Sequence, residues 1–376
     1  MLDLSRQYAS VRGEILAAVG RVCDSQHYIL GEEATAFERE FAGLCETREA
    51  VGCASGTDAL WLALAAAGVG TGDEVITTAF SFFATASCIT RAGSRPVFVD
   101  IDPETLNLDP AKVEQKLLSC RARRRAILPV HLYGQCADMT VFNRIGDGYN
   151  VAIIEDAAQA VGATWAGKKA GSMGTAAAFS FYPTKNLSAF GDAGALTTND
   201  PALAERVRML RDHGSRKRYY HEEIGANSRL DSLQAAILRV KMPHLKQWNS
   251  QRRERAAIYD RLFAASGLTG TGAASAGPVT LLKTRPEAHH IYHQYVIRTK
   301  KRDQLKAFLG EHGIGTQIYY PVPLHLQQCF SYVGYAAGDL PETEAAAAEV
   351  LALPMFAELR EEEQQYVVET IAEFHS

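Results

Sequence analysis

The sequence has no excess of positive charge, no long apolar run and no recognisable export signal. Its 39 lysines and arginines face 43 acidic residues, for a formal charge of −4 and a pI near 6.3, which argues against nucleic-acid binding. The longest apolar stretch, Ala59 to Gly70, is too short to cross a bilayer. The opening residues, MLDLSRQY, do not follow a secretory pattern. These features predict a cytoplasmic protein without a membrane or nucleic-acid partner.

Cysteine and histidine also form no metal-binding pattern. The seven cysteines are odd in number and include no CxxC pair, so neither a disulfide framework nor a zinc site is indicated. The 11 histidines include no HExxH motif. We expect no bound metal and mostly buried, reduced thiols at Cys23, Cys45, Cys53, Cys88, Cys120, Cys136 and Cys329.

The sequence is rich in short apolar runs, which are typical of buried strands. Hydrophobic residues make up 47% of its 376 positions, enough for two or three domains. From residue 51 onward, short apolar runs alternate with helical stretches, which is typical of an α/β fold. The predicted sheet is seven-stranded and mainly parallel, with strands at VGCAS, VITTAF, PVFVDI, AILPVHL, VAIIED, AAFSFY and GALTTN.

The composition changes after Pro243. An Arg-rich helical stretch, KQWNSQRRERAAIYDRLFAA, is followed by the small-residue segment SGLTGTGAASAG. We therefore predict a large domain at 1–245 and a smaller α+β domain at 246–376, with a strand in YHQYVIRT and a helix in DQLKAFLGEHG. An N-terminal helix, expected at about 11–25, has no adjacent strand and is a candidate to pack on the smaller domain.

Two glycine-rich segments fall short of nucleotide-binding motifs. GATWAGKK, at 162–169, fits GxxxxGK but has Lys169 where a phosphate-binding loop needs Ser or Thr. The segment TWAGKKAGS predicts a hairpin rather than a turn from strand to helix. GVGTG, at 68–72, lacks the GxGxxG spacing. Neither an NTPase nor a Rossmann dinucleotide site is supported.

SGTDAL, at 55–60, is a better candidate for an anion site. A strand ends there and a helix begins, so the backbone N–H groups of Gly56, Thr57 and Asp58 would point at a bound phosphate along the helix dipole. The alternative is that Asp58 simply caps its own helix.

An acid pair and one lysine supply the remaining chemistry. Glu155 and Asp156 end the strand VAIIED, where ligands of α/β sheets bind; they could be metal ligands, a general base, or a carboxylate facing a protonated heterocyclic nitrogen. Lys185, in FSFYPTKNL, lies among aromatic and small residues, where an amine loses its proton easily and attacks carbonyl carbon. With the aromatic SFFAT, these parts match the groups of pyridoxal phosphate.

These residues resemble the sugar aminotransferases of the DegT/DnrJ/EryC1/StrS family, which are pyridoxal-phosphate enzymes of aspartate aminotransferase fold type I. The similarity covers nearly the whole chain, in family order and at family spacing. It is carried by YILGEEATAFEREFA, SGTDAL, GDEVI, SFFATA, PVFVDID, LPVHLYG, IEDAAQAVGA, SFYPTKNL, GDAGAL, NSRLDSLQAAIL and YYPVPLH.

The resemblance implies a role for each matched residue. Lys185 would bind the cofactor aldehyde and move the catalytic proton, and Asp156 would pair with the ring nitrogen. The cofactor would also be held by Gly56, Thr57, Asp58, Phe82, Gln159, Ser180 and, from the neighbouring subunit of a homodimer, Asn227. Tyr319, Tyr320 and His325 would border the sugar nucleotide, unless they only pack a Pro-rich turn. The basic segment 211–221, with Arg218, could receive its diphosphate or be an ordinary solvated loop.

The implied reaction moves an amino group from L-glutamate to a nucleotide-linked ketosugar. The segments NSRLDSLQAAIL, LPVHLYG and SFYPTKNL are most similar to enzymes that act on dTDP-3-keto-6-deoxyhexoses, and uracil or guanine nucleotides stay open. The alternatives are a C4-ketosugar aminotransferase, a sugar dehydratase and a non-enzymatic regulator. In dehydratases of this family histidine replaces the lysine, so Lys185 argues against that activity. One departure is Ser188–Ala189, where many relatives have Gly-Ala.

Overall fold

The computed structural model describes residues 2–119, 125–269 and 277–376. These residues form twelve α-helices: α1 Leu4–Ser25, α2 Glu32–Cys45, α3 Gly56–Ala66, α4 Ala84–Arg91, α5 Pro110–Ser119, α6 Met139–Tyr149, α7 Pro201–Leu210, α8 Ser232–Lys241, α9 Leu245–Ser266, α10 Arg302–Glu311, α11 Pro341–Glu349 and α12 Glu361–His375. They also form fifteen strands: β1 Glu49–Cys53, β2 Glu74–Thr78, β3 Arg95–Val99, β4 Arg125–Leu128, β5 Ala152–Asp156, β6 Thr164–Trp165, β7 Lys168–Lys169, β8 Ala176–Ser180, β9 Gly194–Thr198, β10 Ser215–Lys217, β11 Tyr220–His221, β12 Thr280–Leu281, β13 Ala288–His289, β14 Tyr295–Arg298 and β15 Val350–Leu353.

The central sheet has seven strands in the order β1-β9-β8-β5-β4-β2-β3. From β8 to β3 all neighbours are parallel, and β9 runs antiparallel to both β1 and β8. The seven predicted apolar runs coincide with these strands, and the mainly parallel α/β sheet is confirmed. Its strands are buried on both faces, which is why they read as continuous apolar runs.

Helices that follow the parallel strands place their N-termini at one edge of the sheet. Helix α3 follows β1, and α4 follows β2. Helix α7 follows the antiparallel strand β9 and therefore begins at the opposite edge; there the Asp200 side chain accepts the Ala202 amide at 2.8 Å, as expected for an Asp-Pro helix start. The N-terminus of α3 and the carboxyl end of β5 thus lie at the edge where ligands bind in such folds.

The N-terminal helix is longer than predicted. It begins at Leu4 rather than near residue 11, because the Asp3 side chain accepts the amide of Ser5 at 3.0 Å and caps the first turn. Its apolar stripe packs on α8 and on residues from the later part of the chain, in contacts that join Val11, Ile15, Ala18 and Val22 to Ala236, Ile237, Trp248 and Ala357.

A second sheet, β12-β14-β15, is formed by the last third of the chain. The strand expected in YHQYVIRT is β14, and the helix expected in DQLKAFLGEHG is α10. Helix α9 begins at Leu245, and the division into 1–245 and 246–376 stays a prediction. Residues 270–276 of the small-residue segment lie outside the described residues.

Other features of the fold bear on the remaining sequence predictions. Strands β6 and β7 form the antiparallel hairpin expected for TWAGKKAGS. Four of the six described cysteines are buried, and Cys23 and Cys329 are exposed; Cys120 lies outside the described residues. Within the described ranges, no helix combines the length and apolarity that a membrane span requires.

Candidate active site

The start of α3 forms a tight cradle against β8. Ser55 caps the helix, since its Oγ accepts the amide of Asp58 at 3.1 Å. Gly56 is the first helical residue, and a Cβ there would lie only 2.6 Å from Cβ of Ser180. The amides of Gly56 and Thr57 have no intrahelical acceptor at this position. The cradle therefore offers backbone donors, the Ser180 hydroxyl and the positive end of a helix dipole to an anion.

Asp58 serves this cradle differently from the prediction. Its amide is already bonded to Ser55, which leaves Gly56 and Thr57 as the backbone donors. Its carboxylate forms an ion pair with Arg91 and accepts the hydroxyl of Ser228 at 2.9 Å. Since Ser55 is the side chain that caps the helix, Asp58 acts neither as the cap nor through a free amide.

Glu155 and Asp156 point to opposite sides of the sheet, as adjacent residues on a strand must. Glu155 is fully buried and accepts the amides of Gly171, Met173 and Gly174 at 2.8, 2.8 and 2.6 Å. Its Oε2 also lies 2.9 Å from Nε2 of His131. The two carboxylates do not converge, so the geometry does not support a metal held by both.

Asp156 has little contact with solvent and lies near Thr85, Lys185 and Tyr320, whose side chains border what we call the cleft. Its Oδ2 accepts the Thr85 hydroxyl at 2.7 Å, and its Oδ1 accepts the amide of Ala158 at 3.2 Å. Burial raises the pKa of Asp156, while the bond from Thr85 and the nearby charge of Lys185 act in the opposite direction. The carboxylate is therefore preorganised to accept a proton donor or cation from the cleft.

Lys185 lies in the turn that follows β8. Its amide donates to the carbonyl of Tyr182 at 2.8 Å, and its side chain is half-buried. Burial lowers the pKa of the amine to about 8, against the opposing influence of Asp156. Among the described residues, no hydrogen bond or ion pair engages its Nζ. Such an amine is a competent nucleophile near neutral pH.

An amide and two aromatic rings line the wall beside Asp156. Gln159 accepts the amide of Tyr133 at 2.6 Å and donates to the hydroxyl of Tyr320 at 2.9 Å. The Phe82 ring is 58% exposed and lies 6.3 Å from that of Tyr320, tilted by 45°. Phe82 thus presents a free aromatic face, while Tyr320 is tied to Gln159.

The structure does not gather all predicted substrate residues. The side chain of His325 is buried, and its Nε2 lies 3.1 Å from a carboxylate oxygen of Glu344, which corresponds to packing of the turn rather than to a cleft position. Tyr319 is half-buried and accepts the Tyr133 hydroxyl through its carbonyl. Arg218 and Asn227 are exposed in and beyond the β10–β11 hairpin, and the Arg218 guanidinium lies over the ring of Tyr219.

Sequence reasoning missed Thr85 and Tyr133. Thr85 lies within SFFAT, three residues after Phe82, and its amide donates to the carbonyl of Phe82 at 3.1 Å in the turn that leads into α4. That spacing could have indicated a hydroxyl directed at the cleft. Tyr133 bonds to both Gln159 and Tyr319, a role that only the folded chain reveals.

These residues fit pyridoxal phosphate. The glycine cradle matches a phosphate, buried Asp156 matches a protonated ring nitrogen, the Phe82 face matches a flat ring, and the Lys185 amine matches an aldehyde. The fit rests on the donor set and on the space that only glycine leaves at position 56.

Comparisons with known proteins agree with this geometry. A model of the DegT/DnrJ/EryC1/StrS aminotransferase family matches residues 9–372. A pleiotropic regulatory protein of Geobacillus stearothermophilus is 53% identical over 100% of this chain and 98% of its own. A dTDP-3-amino-3,4,6-trideoxy-alpha-D-glucose transaminase of Streptomyces venezuelae is 44% identical over 99% and 95% of the two chains.

The fold is also that of a solved aminotransferase structure. DesV of S. venezuelae superposes with a TM-score of 0.93 at 43% identity, over 99% of this chain and 97% of its own. Family, relatives and fold agree with the resemblance seen in the sequence. The chain belongs to the DegT/DnrJ/EryC1/StrS aminotransferase family and is a pyridoxal-phosphate-dependent aminotransferase of fold type I.

Proposed function

We propose that this enzyme transfers the amino group of L-glutamate to C3 of a nucleotide-linked 3-keto-6-deoxyhexose, with dTDP as the nucleotide. The observation that carries the reaction type is that the Lys185 amine and the Asp156 carboxylate, which Thr85 and Ala158 hold in place, lie near each other without forming an ion pair, so both are available to a cofactor. The substrate rests on the similarity to the S. venezuelae dTDP-aminosugar transaminase. We place the reaction in the cytoplasm as part of the same proposal.

The chain's own residues would each perform a defined task. Pyridoxal phosphate, when bound, supplies an electron-accepting ring that stabilises negative charge at the donor's α-carbon. Gly56, Thr57 and Ser180 would hold its phosphate, and Asp156 its ring nitrogen. The neutral Lys185 amine would take the α-proton of glutamate as a general base and, as an ammonium group, would deliver that proton to C4′ of the cofactor as a general acid. A pKa of about 8 suits both directions of that transfer.

The sugar nucleotide would bind beside Tyr319 and Tyr320, with Arg218 directed at its diphosphate. Arg218 is exposed at the tip of a hairpin, where it is available to a ligand or to a second subunit. We propose a homodimer in which Asn227 reaches the phosphate site of the partner. His325 is left out of this binding site, because its side chain is buried against Glu344.

Glutamate alone tests the first half of the reaction. The purified enzyme should show cofactor absorbance that shifts to the pyridoxamine form on addition of glutamate, and borohydride should attach the cofactor to Lys185. The Lys185→Ala variant should lose both responses. An unshifted spectrum in the wild-type protein would favour the regulatory role named for the G. stearothermophilus relative, and normal turnover by Lys185→Ala would contradict the role of Lys185.

The acceptor is tested separately. The pyridoxamine form should aminate a dTDP-3-keto-6-deoxyhexose faster than 4-keto sugars or the UDP and GDP analogues, with the position of the new amine fixed by NMR. Preferred amination at C4 would assign the enzyme to the other branch, and release of a ketosugar that has lost a hydroxyl group as water and gained no amine would indicate a dehydratase.

A further inference from the structure

The residue after Lys185 is held by side chains from two distant parts of the sequence. Asn186 is 5% exposed, and both ends of its amide are engaged. Its Nδ2 donates to Oδ1 of Asn249 at 2.8 Å, and its Oδ1 lies 3.1 Å from Nδ1 of His293. Because an amide oxygen can only accept, the bond requires the proton of His293 on Nδ1. The turn that carries Lys185 is therefore anchored at its next residue.

Asn249 extends this network to the segment that follows Asp156. Its Nδ2 donates to the carbonyl of Val161 at 3.0 Å, two residues beyond Gln159. Gly162 leaves the room required, since a Cβ at that position would lie 2.8 Å from the same Nδ2. One side chain thus connects the segment of Asp156 and Gln159 with the turn of Lys185.

Helix α9 supplies both this bridge and the support for His293. Asn249 and Arg252 are three residues apart on one buried face of α9. Arg252 donates to the carbonyls of Tyr292 and His293, both at 3.2 Å, and of Met355 at 3.3 Å. Burial lowers the pKa of Arg252 to about 10. Burying a cation is costly unless it is hydrogen-bonded, and the three carbonyls supply those bonds; the same bonds fix the backbone of His293.

We propose that Asn249 and His293 are positioning residues that set the Lys185 amine relative to Asp156, acting through Asn186. The inference rests on the proposed function, because that function requires the amine to serve the aldehyde and the donor's α-carbon in turn. A displacement of 1 Å in such a group can slow a reaction by about 100-fold. The three buried side chains limit that displacement without touching the reacting atoms.

The test compares variants of the network with a control on the same helix. Asn249→Leu and His293→Leu each remove a bond to Asn186, while His293→Asn retains a donor where Nδ1 lies. Tyr259→Phe is the control, because it removes another buried bond of α9, from the Tyr259 hydroxyl to the carbonyl of Pro354 at 3.0 Å. All variants are checked for fold by circular dichroism and thermal melting.

Two readouts separate positioning from general damage. In the holoenzyme, both leucine variants should slow the glutamate half-reaction by roughly tenfold or more, with the KM for glutamate within about twofold of the wild type. In the cofactor-free protein, the pH midpoint of Lys185 acetylation, followed by mass spectrometry, should move in the leucine variants. His293→Asn should restore much of both properties, and Tyr259→Phe should change neither.

The outcomes distinguish this inference from the proposed function. If folded Asn249→Leu and His293→Leu behave like Tyr259→Phe in both readouts, the positioning role is wrong while transamination stands. If wild-type protein never responds to glutamate, the proposed function fails, and the acetylation midpoints still decide whether the network sets the amine. Should Asn249→Leu not fold, the comparison of His293→Leu with His293→Asn decides alone.

Discussion

At the scale of single residues, the site consists of an amine and a carboxylate whose pKa values are shifted in opposite directions by burial. Burial lowers the pKa of Lys185 to about 8 and raises that of Asp156, since each loses solvation of its charged form. Their mutual attraction opposes both shifts. The amine therefore deprotonates near neutral pH while the carboxylate still has its hydrogen bond from Thr85.

This balance predicts the pH dependence of cofactor capture. Only the neutral amine attacks an aldehyde, so the rate at which cofactor-free enzyme captures pyridoxal phosphate should rise with pH through a midpoint near 8. Asp156→Asn should shift that midpoint downward, because it removes the charge that favours the protonated amine. Stopped-flow absorbance between pH 6 and 10, about two pH units on either side of the expected midpoint, measures the midpoint in the wild type and in Asp156→Asn. A wild-type midpoint near the ordinary lysine pKa would contradict the prediction.

Thr85 should prove important for holding the cofactor. Thr85→Val removes the donor to Asp156 at 2.7 Å, and a bond to a charged group contributes about 1.5–3 kcal/mol. We expect affinity for pyridoxal phosphate to fall by about tenfold or more. Thr77→Val is the matched control, because its buried hydroxyl donates to the carbonyl of Leu128 at 2.7 Å and touches no proposed ligand. Equal affinity in the two variants would count against a role for Thr85.

At the scale of elements, the cradle depends on how closely α3 approaches the sheet. Gly56 contacts Ser180 of β8, and Gly194 of β9 lies against the backbone of Ser55, where a Cβ would be 2.3 Å from the carbonyl oxygen. Glycine at these two positions brings the positive end of α3 onto the sheet. The motif SGTDAL predicts the helix start, but the two facing strands set the depth of the site.

Gly56→Ala should therefore weaken cofactor binding. Its Cβ would lie 2.6 Å from Ser180 Cβ, which forces the helix start outward, and we expect at least about tenfold lower affinity. Gly13→Ala, in the middle of α1 with no atom within 4 Å of the added Cβ, should instead keep the affinity and gain up to about 1 kcal/mol of stability. Equilibrium titration and denaturant unfolding measure the two effects. Unchanged affinity in Gly56→Ala would show that the cradle tolerates a side chain.

At the scale of the whole molecule, the proposed homodimer would place a second copy of the chain beside this cleft. Ser228, next to Asn227, donates to Asp58 in the same chain, and Asn227 itself is exposed. The exposed hairpin nearby presents Tyr219 and Tyr220, and Ile224 follows it; 77%, 63% and 96% of their surface is accessible. Such a surface suits contact with a partner subunit.

Mixed dimers test whether Asn227 acts across the interface. Lys185→Ala and Asn227→Ala chains, each weak alone, should form hybrids in which one site has Lys185 from one chain and Asn227 from the other. We expect the refolded mixture to be more active than either parent. Activity no higher than the average of the parents would place Asn227 in its own chain's site, and size-exclusion chromatography of each parent controls for assembly.

The sequence determined the strands, several helix starts, the family and the residue types of the site, because apolar runs, caps and motifs are local patterns. It could not determine which way side chains point once strands pair. Glu155 and Asp156 are neighbours in sequence but lie on opposite faces of β5, and His325 belongs to a motif yet is buried against Glu344. The start of α1 was misplaced because its cap, Asp3, stands before any apolar period begins. Tertiary packing alone brought Thr85 to Asp156 and Asn249 to Asn186, since these contacts join residues 71 and 63 positions apart, and no local pattern carries that information.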